Sequence, residues 1–325
     1  MKQTVLITGG NANLGYACAK TIAAHSPNYH VVLACRNPKA ASDAANQLKA
    51  STNSPNISTI ALDLVSLDSV KSCAETFIGQ LMAQKLPPLT AIIANAGVQF
   101  GDQLRATPTG VEETFAINHL GHFALINQLL PHLQPNGRIV VVSSGTHRTN
   151  PREFWTAMMG VPAPLFTTAK AVATGTATGG LTGVMLNRRR YATSKLCNLL
   201  FTYELDRRLR EHDLPITVNA FDPGLMPGTN LARNNSPAIV WAWNNVLPVM
   251  TVFPGVNRVE TSGQNLARLV LDASLAGMSA QYFEAKQAVP SSIESQDQTK
   301  QQDLWKLSVA LTSTDFSLTA GQAYC

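Results

Sequence analysis

The sequence predicts an α/β protein with a doubly wound parallel sheet, for three reasons. Short apolar runs, mostly β-branched, alternate along the chain with longer segments of helical periodicity, an order that favours parallel strands joined by right-handed crossovers. The runs show little alternation of polar and apolar residues, as expected for strands covered on both faces. The chain has 325 residues, 45% hydrophobic and only 14% charged, so it can bury a large core.

The strand-like and helical segments follow one another in regular order. The six strand-like runs are residues 5–8, 31–34, 57–62, 91–94, 138–142 and 216–220. The helical patterns between them are residues 14–24, 39–50, 66–84, 110–133 and 191–212. The tail adds a helix at 258–274, a short strand at 281–284 and a last helix, for which Ser295 is the predicted N-cap with Gln298 three residues on.

Two long segments interrupt this order, and we interpret them as insertions in a single domain, 1–325. Residues 145–187 separate the fifth strand from the next helix, a connection so long that it is normally functional or disordered. Its second half, 167–183, is rich in Thr, Gly and Ala and predicts a flexible flap over a substrate, with an oligomer contact as the alternative. Its first half predicts a hydrophobic pocket wall made by Phe154, Trp155, Met158 and Met159. Residues 224–257 predict an apolar helical hairpin on the substrate side.

Charge and cysteine content exclude several classes of protein. The net charge is +5, but the 25 Lys and Arg residues are scattered and their densest cluster is 188–190, so we expect no nucleic-acid partner. The five cysteines are widely spaced and include no Cys-x-x-Cys pair, which favours a reducing, cytoplasmic compartment over a disulfide framework or zinc site. No apolar stretch reaches the ~18 residues of a membrane helix, and the amino terminus runs into a strand without a signal-peptide pattern.

The first predicted strand ends in a glycine-rich turn that indicates nucleotide binding. It reads Thr8-Gly9-Gly10-Asn11-Ala12-Asn13-Leu14-Gly15, and a helical pattern begins at once. Such a turn lets the backbone approach a pyrophosphate, while the helix N-terminus supplies unpaired N–H groups and a partial positive charge. The alternative is a tight turn that holds no ligand.

The end of the second predicted strand bears on which nucleotide would bind. It reads Ala34-Cys35-Arg36-Asn37, with no acidic residue nearby. An acidic residue there binds a ribose 2′-hydroxyl and favours NAD, whereas a basic one accommodates a 2′-phosphate. Arg36 therefore predicts NADP(H), with a solvated loop arginine as the alternative.

Three residues form the constellation that points to catalysis: Ser144, Tyr191 and Lys195. Ser144 follows the fifth strand at the carboxyl edge of the sheet, where open α/β sheets bind ligands. Tyr191 and Lys195 are four residues apart on one helix and therefore share a face. A phenol with a pKa of ~10 is a poor acid or base at neutral pH, but a neighbouring ammonium and an oxidised nicotinamide would favour its phenolate. Ser144 would then bind the substrate oxygen while Tyr191 exchanges its proton.

The order of these motifs along the chain resembles that of short-chain dehydrogenases/reductases. The glycine turn is followed by Asn95-Ala96-Gly97, then by Ser144 and then by Tyr191-x-x-x-Lys195. The resemblance implies a Rossmann-type fold from Thr4 to about Glu284. The family turn reads Thr-Gly-x-x-x-Gly-x-Gly, and here Asn13 stands in place of the middle glycine, which is acceptable because Asn tolerates left-handed backbone.

A branch of that superfamily shares further features. The Ala-Cys-Arg-Asn strand end, the long gap before Tyr191 and the segment Val289-Pro290-Ser291-Ser292 resemble retinol dehydrogenases and light-dependent protochlorophyllide reductases. The insertion here has no cysteine like the one that branch uses near its substrate, which argues against protochlorophyllide itself.

The resemblance also assigns residues to the cofactor and to catalysis. The cofactor-binding residues that it implies are Gly9, Asn11, Asn13, Leu14, Gly15, Arg36, Asp63, Leu64, Asn95, Ala96, Gly97, Tyr191, Lys195, Pro223, Gly224 and Thr229. Asp63 could instead cap a helix near Ser66. Asn118 matches a fourth catalytic residue whose amide would bind a water leading to the lysine, with a helix-bend asparagine as the alternative. His119 and His122 have no third ligand in the sequence, so we expect packed histidines and no metal.

Together these features predict an NADP(H)-dependent oxidoreductase that transfers a hydride between nicotinamide and a carbonyl or alcohol of a hydrophobic small molecule. Reduction of a conjugated C=C bond, with the same tyrosine as proton donor, is one alternative. A non-catalytic NADP-binding sensor or scaffold is another. Family members usually pair through the helix that carries Tyr191 and the helix before it. We therefore expect a homo-oligomer, a dimer or tetramer, through Gly121, Phe123, Ala124, Leu199, Leu200 and Phe201.

Overall fold

One eight-stranded sheet organises the fold. The computed structural model describes residues 2–101, 104–148, 160–229 and 256–315. The strands are β1 (Gln3–Thr8), β2 (Tyr29–Cys35), β3 (Ile57–Ala61), β4 (Leu89–Ala94), β5 (Leu133–Val142), β6 (Thr217–Asp222), β7 (Tyr282–Glu284) and β8 (Gln287–Val289). Their order is β3-β2-β1-β4-β5-β6-β7-β8, and every neighbouring pair is parallel except β7 with β8. The predicted doubly wound parallel sheet is confirmed, with its switch point between β1 and β4.

The helices of the described ranges connect these strands. They are α1 (Asn13–His25), α2 (Pro38–Thr52), α3 (Leu67–Met82), α4 (Glu113–Phe115), α5 (Gly121–Leu129), α6 (Ala169–Ala173), α7 (Gly183–Glu211), α8 (Val259–Leu271) and α9 (Gln298–Thr312). The single helix predicted for 110–133 is interrupted, because a π-helical turn, Ala116–Leu120, joins α4 to α5. The predicted cap of α9 is wrong: Asp297 accepts the Lys300 N–H at 3.2 Å and caps that helix, whereas Ser295 lies in the preceding 3-10 turn.

Hydrophobic side chains fill both faces of the sheet. Along β1, Leu6 packs into a core with Phe77 and Phe123, whereas Val5 and Ile7 pack into the core on the opposite face. Because both faces are covered, polar and apolar residues do not alternate along the central strands.

Helix α9 covers the face that the sequence suggested for oligomer contacts. The Trp305 ring lies 4.9 Å from the Phe123 ring and stacks 6.0 Å from the Phe201 ring, centroid to centroid. The His119 Nε2 and Ser308 Oγ atoms are 2.9 Å apart and tie α9 to the π-helical turn. The residues expected at an interface are buried inside this chain: Gly121, Phe123, Ala124, Leu199, Leu200 and Phe201. That choice of contact surface is therefore wrong, while the oligomer itself stays a prediction.

The remaining expectations concern the cysteines, membrane helices, cellular location and the two insertions. Cys18, Cys35, Cys73 and Cys197 are buried free thiols. In the part of the chain that the structure describes, no helix has the length and apolar character needed to cross a membrane. The cytoplasmic location stays a prediction. The pocket wall expected from Phe154, Trp155, Met158 and Met159 and most of the 224–257 insertion lie outside the described residues.

Candidate functional site

The glycine-rich turn between β1 and α1 is tightly closed. Gly9 has a φ of 65°, and a Cβ atom at Gly15 would lie 2.4 Å from the Gly9 carbonyl oxygen. Asn13 adopts left-handed backbone, with a φ of 47°, so the turn survives without its middle glycine. Ala12 is the N-cap of α1, and no side chain accepts from the first N–H groups of that helix. The turn therefore leaves a helix N-terminus available to a phosphate group.

The glycine turn is bonded to the turn that follows β4. The Thr8 hydroxyl oxygen accepts the N–H groups of Asn95 and Ala96, each at 2.9 Å. In return the Asn95 side-chain amide donates to the Thr8 carbonyl at 2.8 Å. These bonds hold Asn95, Ala96 and Gly97 at the switch point beside the glycine turn, where open α/β sheets form their ligand crevice.

The residues predicted to hold the adenosine half lie along the same edge. Arg36 is exposed directly after β2. Burial raises the pKa of the neighbouring Cys35 thiol to about 11, and the backbone N–H groups of Asn11 and Gly10 oppose that rise. Asp63 accepts the Val65 N–H at 3.2 Å, and the helix cap is provided by Ser66 itself. Two of the assigned residues, Leu14 and Leu64, are buried in the cores below.

Tyr191 and Ser144 meet at the carboxyl end of β5. The Ser144 hydroxyl lowers the pKa of the Tyr191 phenol and so favours the phenolate. Burial acts more strongly in the opposite direction and raises the pKa of Tyr191, and the nearby Asp222 carboxyl adds to that rise. The phenol is therefore held in its protonated form in the ligand-free protein.

Lys195 lies one turn further along α7, next to Tyr191. Its Nζ donates to the Val142 carbonyl at 3.0 Å and lies 5.6 Å from the centroid of the Tyr191 ring. Burial lowers the pKa of Lys195 to about 8, and Asp222 opposes that fall. A Cβ atom at Gly97 would be 3.5 Å from this ammonium, so the absence of a side chain at Gly97 leaves a space beside Lys195.

Asn118 lies in the π-helical turn, and all its amide hydrogen bonds are to protein groups. Its Nδ2 donates to the Val98 carbonyl at 3.0 Å and to the Ser194 hydroxyl at 2.9 Å, while its Oδ1 accepts the Val98 N–H at 2.8 Å. Both amide donors thus have protein partners, while Oδ1 keeps a second lone pair, so the binding of a water by this amide stays a prediction. π-Helical turns are frequent at functional sites, and this one aligns Asn118 with α7.

His122 joins Asn118 to the glycine turn. The Thr8 hydroxyl already accepts two N–H groups, so it donates its proton to His122 Nε2, 2.8 Å away. His122 Nδ1 therefore carries the ring proton and donates to the Asn118 carbonyl at 3.2 Å. Burial lowers the pKa of His122 to about 4, which agrees with a neutral ring. In the described ranges no three His, Cys, Asp or Glu residues cluster as metal ligands would.

The turn after β6 is stabilised from several directions. Gly224 has a φ of 72°, which suits glycine at this position, and its N–H donates to Asp222 at 2.9 Å. The Pro223 carbonyl accepts hydrogen bonds from Ser262 and Asn257. Thr229, the predicted nicotinamide contact, is buried and donates to the Met226 carbonyl at 2.9 Å.

The second half of the long insertion packs against α7 and α9. It contains helix α6, whose Ala169 N–H donates to the Asp303 carboxylate at 2.7 Å. The arginines of the basic cluster bind its carbonyls: Arg189 donates to Thr178 at 2.9 Å, and Arg190 to Gly175 at 2.8 Å. The basic cluster thus attaches the insertion to the start of the helix that carries Tyr191. The flap motion stays a prediction.

Sequence reasoning missed a polar cluster behind Ser144. His147 is buried, its Nδ1 donates to the Ser144 carbonyl at 2.7 Å, and its Nε2 accepts the Ser292 N–H at 3.1 Å. Its ring packs edge-on against Tyr282, whose hydroxyl donates to the Asp222 carboxylate at 3.1 Å. Asp222 could have been found from its position, because it ends a strand at the same edge as Ser144.

Comparison with known sequences gives a consistent result. The sequence model described as short chain dehydrogenase matches residues 3–157. The WW domain-containing oxidoreductase of Gallus gallus is 31% identical over 319 residues, an alignment that covers 95% of this chain and 68% of the relative. The chloroplastic protochlorophyllide reductase of Pisum sativum is 32% identical over 339 residues, covering 95% of this chain and 78% of the relative.

Solved structures agree with the sequence relatives. An uncharacterised protein from Mycobacterium paratuberculosis superposes with a TM-score of 0.66 at 28% identity, covering 97% of this chain and 95% of that one. The angucycline C-6 ketoreductase LanV with bound NADP superposes with a TM-score of 0.60 at 18% identity, covering 87% of this chain and 93% of that one. At that identity the second likeness concerns the fold alone.

Proposed function

The chain belongs to the short-chain dehydrogenase/reductase family, and from that premise we propose an NADP(H)-dependent oxidoreductase acting on a carbonyl or alcohol of a hydrophobic small molecule. The observation that carries the proposal is the cluster at the carboxyl edge of β5. There the Ser144 hydroxyl lowers the pKa of the Tyr191 phenol, and the Lys195 ammonium lies 5.6 Å from the tyrosine ring. A buried phenol with a hydroxyl and an ammonium beside it is suited to proton exchange with a substrate oxygen.

Each residue of the cluster has a defined task in this proposal. Ser144 donates to the substrate oxygen and orients it toward the Tyr191 phenol. Tyr191 gives its proton to that oxygen during reduction and takes it back during oxidation. Lys195, fixed by the Val142 carbonyl, stabilises the phenolate that remains after proton transfer. Asn118 positions helix α7, which carries Tyr191 and Lys195, because its amide binds both the Val98 backbone and the Ser194 hydroxyl of that helix.

The crevice between β1 and β4 has the features that an NADP(H) molecule needs. The N-terminus of α1 lacks a side-chain acceptor, Gly97 leaves space beside Lys195, and Arg36 is exposed where a 2′-phosphate would lie. The remaining assigned residues, Asp63, Asn95 and the Pro223–Gly224 turn, line the same edge. When bound, the cofactor supplies or accepts the hydride.

An apolar substrate is supported by exposed hydrophobic side chains near the start of α7. Leu104 is 62% exposed and Met185 is 40% exposed, and the Asn187 side chain donates to the Gly101 carbonyl at 2.8 Å, which links their two segments. Exposed apolar groups of this kind favour a nonpolar ligand over a charged one.

Reduction of a conjugated C=C bond is a second candidate, because protochlorophyllide reductase is 32% identical to this chain. The same phenol would then give its proton to carbon instead of oxygen. The two candidates differ in product: one yields an alcohol and the other a saturated carbonyl compound.

The test is NADPH consumption with a panel of aromatic and aliphatic aldehydes, ketones and enones, followed by identification of the products. Tyr191→Phe should lower kcat at least ~100-fold, the usual contribution of a positioned acid, while NADPH affinity changes little. Tyr203→Phe is the matched control, because it makes the same change on the same helix, where the hydroxyl lies 2.6 Å from Ser291. Equal activity of the two variants would show that the proton comes from elsewhere.

A further inference from the structure

The imidazole of His147 is fully buried behind Ser144, and its two hydrogen bonds determine where its proton lies. Its Nε2 accepts the Ser292 N–H at 3.1 Å, and its Nδ1 is 2.7 Å from the Ser144 carbonyl oxygen. A backbone N–H can only donate and a carbonyl oxygen can only accept, so the ring is neutral and carries its proton on Nδ1. His147 thus connects the backbone of Ser144 to residue 292, which is distant in sequence.

Ser144 is bonded through both of its oxygen atoms to the turn that ends at His147. It directly precedes this 3-10 turn, Gly145–His147. Its carbonyl accepts the backbone N–H of His147 at 3.1 Å in addition to the ring proton, and its hydroxyl oxygen accepts the Thr146 N–H at 3.3 Å. A hydroxyl oxygen that accepts an N–H still has its own proton to donate. The turn therefore fixes the position of the Ser144 hydroxyl oxygen and leaves the hydroxyl proton for a substrate oxygen.

Neighbouring elements hold this turn from both ends. On the side that precedes Ser144, the Ser143 N–H donates to a carbonyl of β6 at 2.7 Å, and the Ser143 hydroxyl donates to the Lys195 carbonyl of α7 at 2.9 Å. At the other end, the His147 ring packs edge-on against the Tyr282 ring of β7, with 4.8 Å between the ring centroids. Ser144 therefore lies between two points of attachment, and the imidazole provides the second one.

We propose that His147 is a positioning residue whose Nδ1–H holds the Ser144 carbonyl and thereby keeps the Ser144 hydroxyl directed at the substrate oxygen. This inference rests on the proposed function, in which Ser144 donates to that oxygen. The imidazole exchanges no proton with the substrate, because its Nδ1–H is bonded to Ser144 and its Nε2 to Ser292. Its effect is geometric, since displacement of a catalytic group by about 1 Å lowers the rate by up to ~100-fold.

Two substitutions separate the two hydrogen bonds of the ring. An asparagine amide reaches the position of Nδ1, so His147→Asn keeps a donor for the Ser144 carbonyl and loses the acceptor for Ser292. A glutamine amide reaches the position of Nε2, so His147→Gln keeps the acceptor for Ser292 and loses the donor. Each variant leaves one buried group without a partner, so both should unfold at a lower urea concentration than the wild type. Arg148 donates to the Pro290 carbonyl at 2.9 Å and holds the two segments together in both variants.

The first measurement is steady-state kinetics with the most active compound of the carbonyl panel. His147→Gln should lower kcat at least ~10-fold, whereas His147→Asn, which restores the donor, should recover kcat to within about threefold of the wild type. In a Ser144→Ala background, His147→Gln should cause no further loss, because the hydroxyl that the imidazole positions is absent. Equal kcat values in the two His147 variants, or an additive loss in the Ser144→Ala background, would overturn the inference and leave His147 a structural role.

The second measurement needs no turnover. In the substrate-free protein, hydrogen exchange of the Thr146 amide reports its bond to the Ser144 hydroxyl oxygen, because a bonded amide exchanges only when the bond opens. This amide should exchange at least ~10-fold faster in His147→Gln than in His147→Asn, and equal exchange would contradict the inference.

The wild-type protein supplies a third measurement, which decides the inference even if neither variant folds. In ¹⁵N NMR, the His147 ring should show a protonated Nδ1 and an unprotonated Nε2, and the opposite tautomer would overturn the inference. Neither exchange nor NMR involves a substrate. Failure of the wild type to consume NADPH with any compound of the panel would therefore count against the proposed function, while these two measurements would still decide the role of His147.

Discussion

Substitution of Gly15 by alanine should damage the nucleotide-binding turn more than any surface change of the same size. A Cβ atom at Gly15 would lie 2.4 Å from the Gly9 carbonyl oxygen and 2.6 Å from Asn95 Nδ2. Neither neighbour can give way easily, because the Asn95 amide is bonded to the Thr8 carbonyl at 2.8 Å. Helix α1 must therefore shift away from the turn, and the Asn95 bond must break.

The magnitude follows from these two costs. Overpacking of a close contact costs about 1–3 kcal/mol, and a lost hydrogen bond costs about 1 kcal/mol. We therefore expect Gly15→Ala to lower the free energy of unfolding by about 3 kcal/mol in urea denaturation. NADPH affinity should fall at least ~10-fold, because the N–H groups of α1 move away from the phosphate position.

Gly79→Ala is the control for this prediction. Gly79 is exposed in α3, and a Cβ atom there would meet nothing within 4 Å. The same chemical change should therefore stabilise the protein by about 0.5–1 kcal/mol, through helix propensity alone. Comparable stability and NADPH affinity in the two variants would refute the steric reasoning at Gly15.

Three further predictions concern cofactor choice, acid stability and helix α9. NADPH should bind at least ~10-fold tighter than NADH, about 1.4 kcal/mol, and calorimetry should show that Arg36→Ala removes most of this preference. Burial lowers the pKa values of three histidines: His119 to about 3, His122 to about 4 and His147 to about 4. As the pH falls below ~6.5, the histidines of the unfolded chain take up protons before those of the folded chain. The free energy of unfolding is therefore highest above that pH and falls toward pH ~4, by up to about 4 kcal/mol per pH unit. An unfolding free energy that does not change over this range would contradict the prediction. Trp305→Ala should lower the free energy of unfolding by about 3–5 kcal/mol. It should also expose the face around Phe123, so that sedimentation detects self-association. An unchanged free energy of unfolding would mean that α9 does not pack on this face.

The parallel core of the fold was predictable because its strands are buried on both faces and therefore read as apolar runs. The exceptions have local causes. Strand β8, Gln287–Val289, has only three residues and is mostly exposed, so no hydrophobic pattern marks it. Helix α7 was predicted to begin at residue 191, but it begins at Gly183. The sequence does not mark this start, because the first turn follows a segment rich in Thr and Gly and the N-cap, Thr182, makes no side-chain hydrogen bond to the helix.

The candidate site shows a similar division. Local motifs indicated Gly9, Ser144, Tyr191 and Lys195, because each lies at a strand end or on a single helix face. The polar cluster behind Ser144 depends instead on contacts such as that of Tyr282 with Asp222, two residues that are distant in sequence and meet only after the sheet has formed.

Helix α9 gives a second example of this limit. An apolar helix face has the same sequence pattern whether another subunit or the chain's own helix covers it. The burial of Phe123 and Phe201 under Trp305 therefore could not be predicted from the sequence.

The destination of the hydride tests the central claim most directly. With NADPH that carries deuterium at the transferred position of the nicotinamide, the product of any active panel compound can be analysed by mass spectrometry and NMR. A carbonyl reductase that uses Tyr191 as the proton donor places deuterium on the carbinol carbon of an alcohol, and Tyr191→Phe abolishes that product. Deuterium on the carbon of a former C=C bond, or a product without deuterium, would contradict carbonyl reduction at this site.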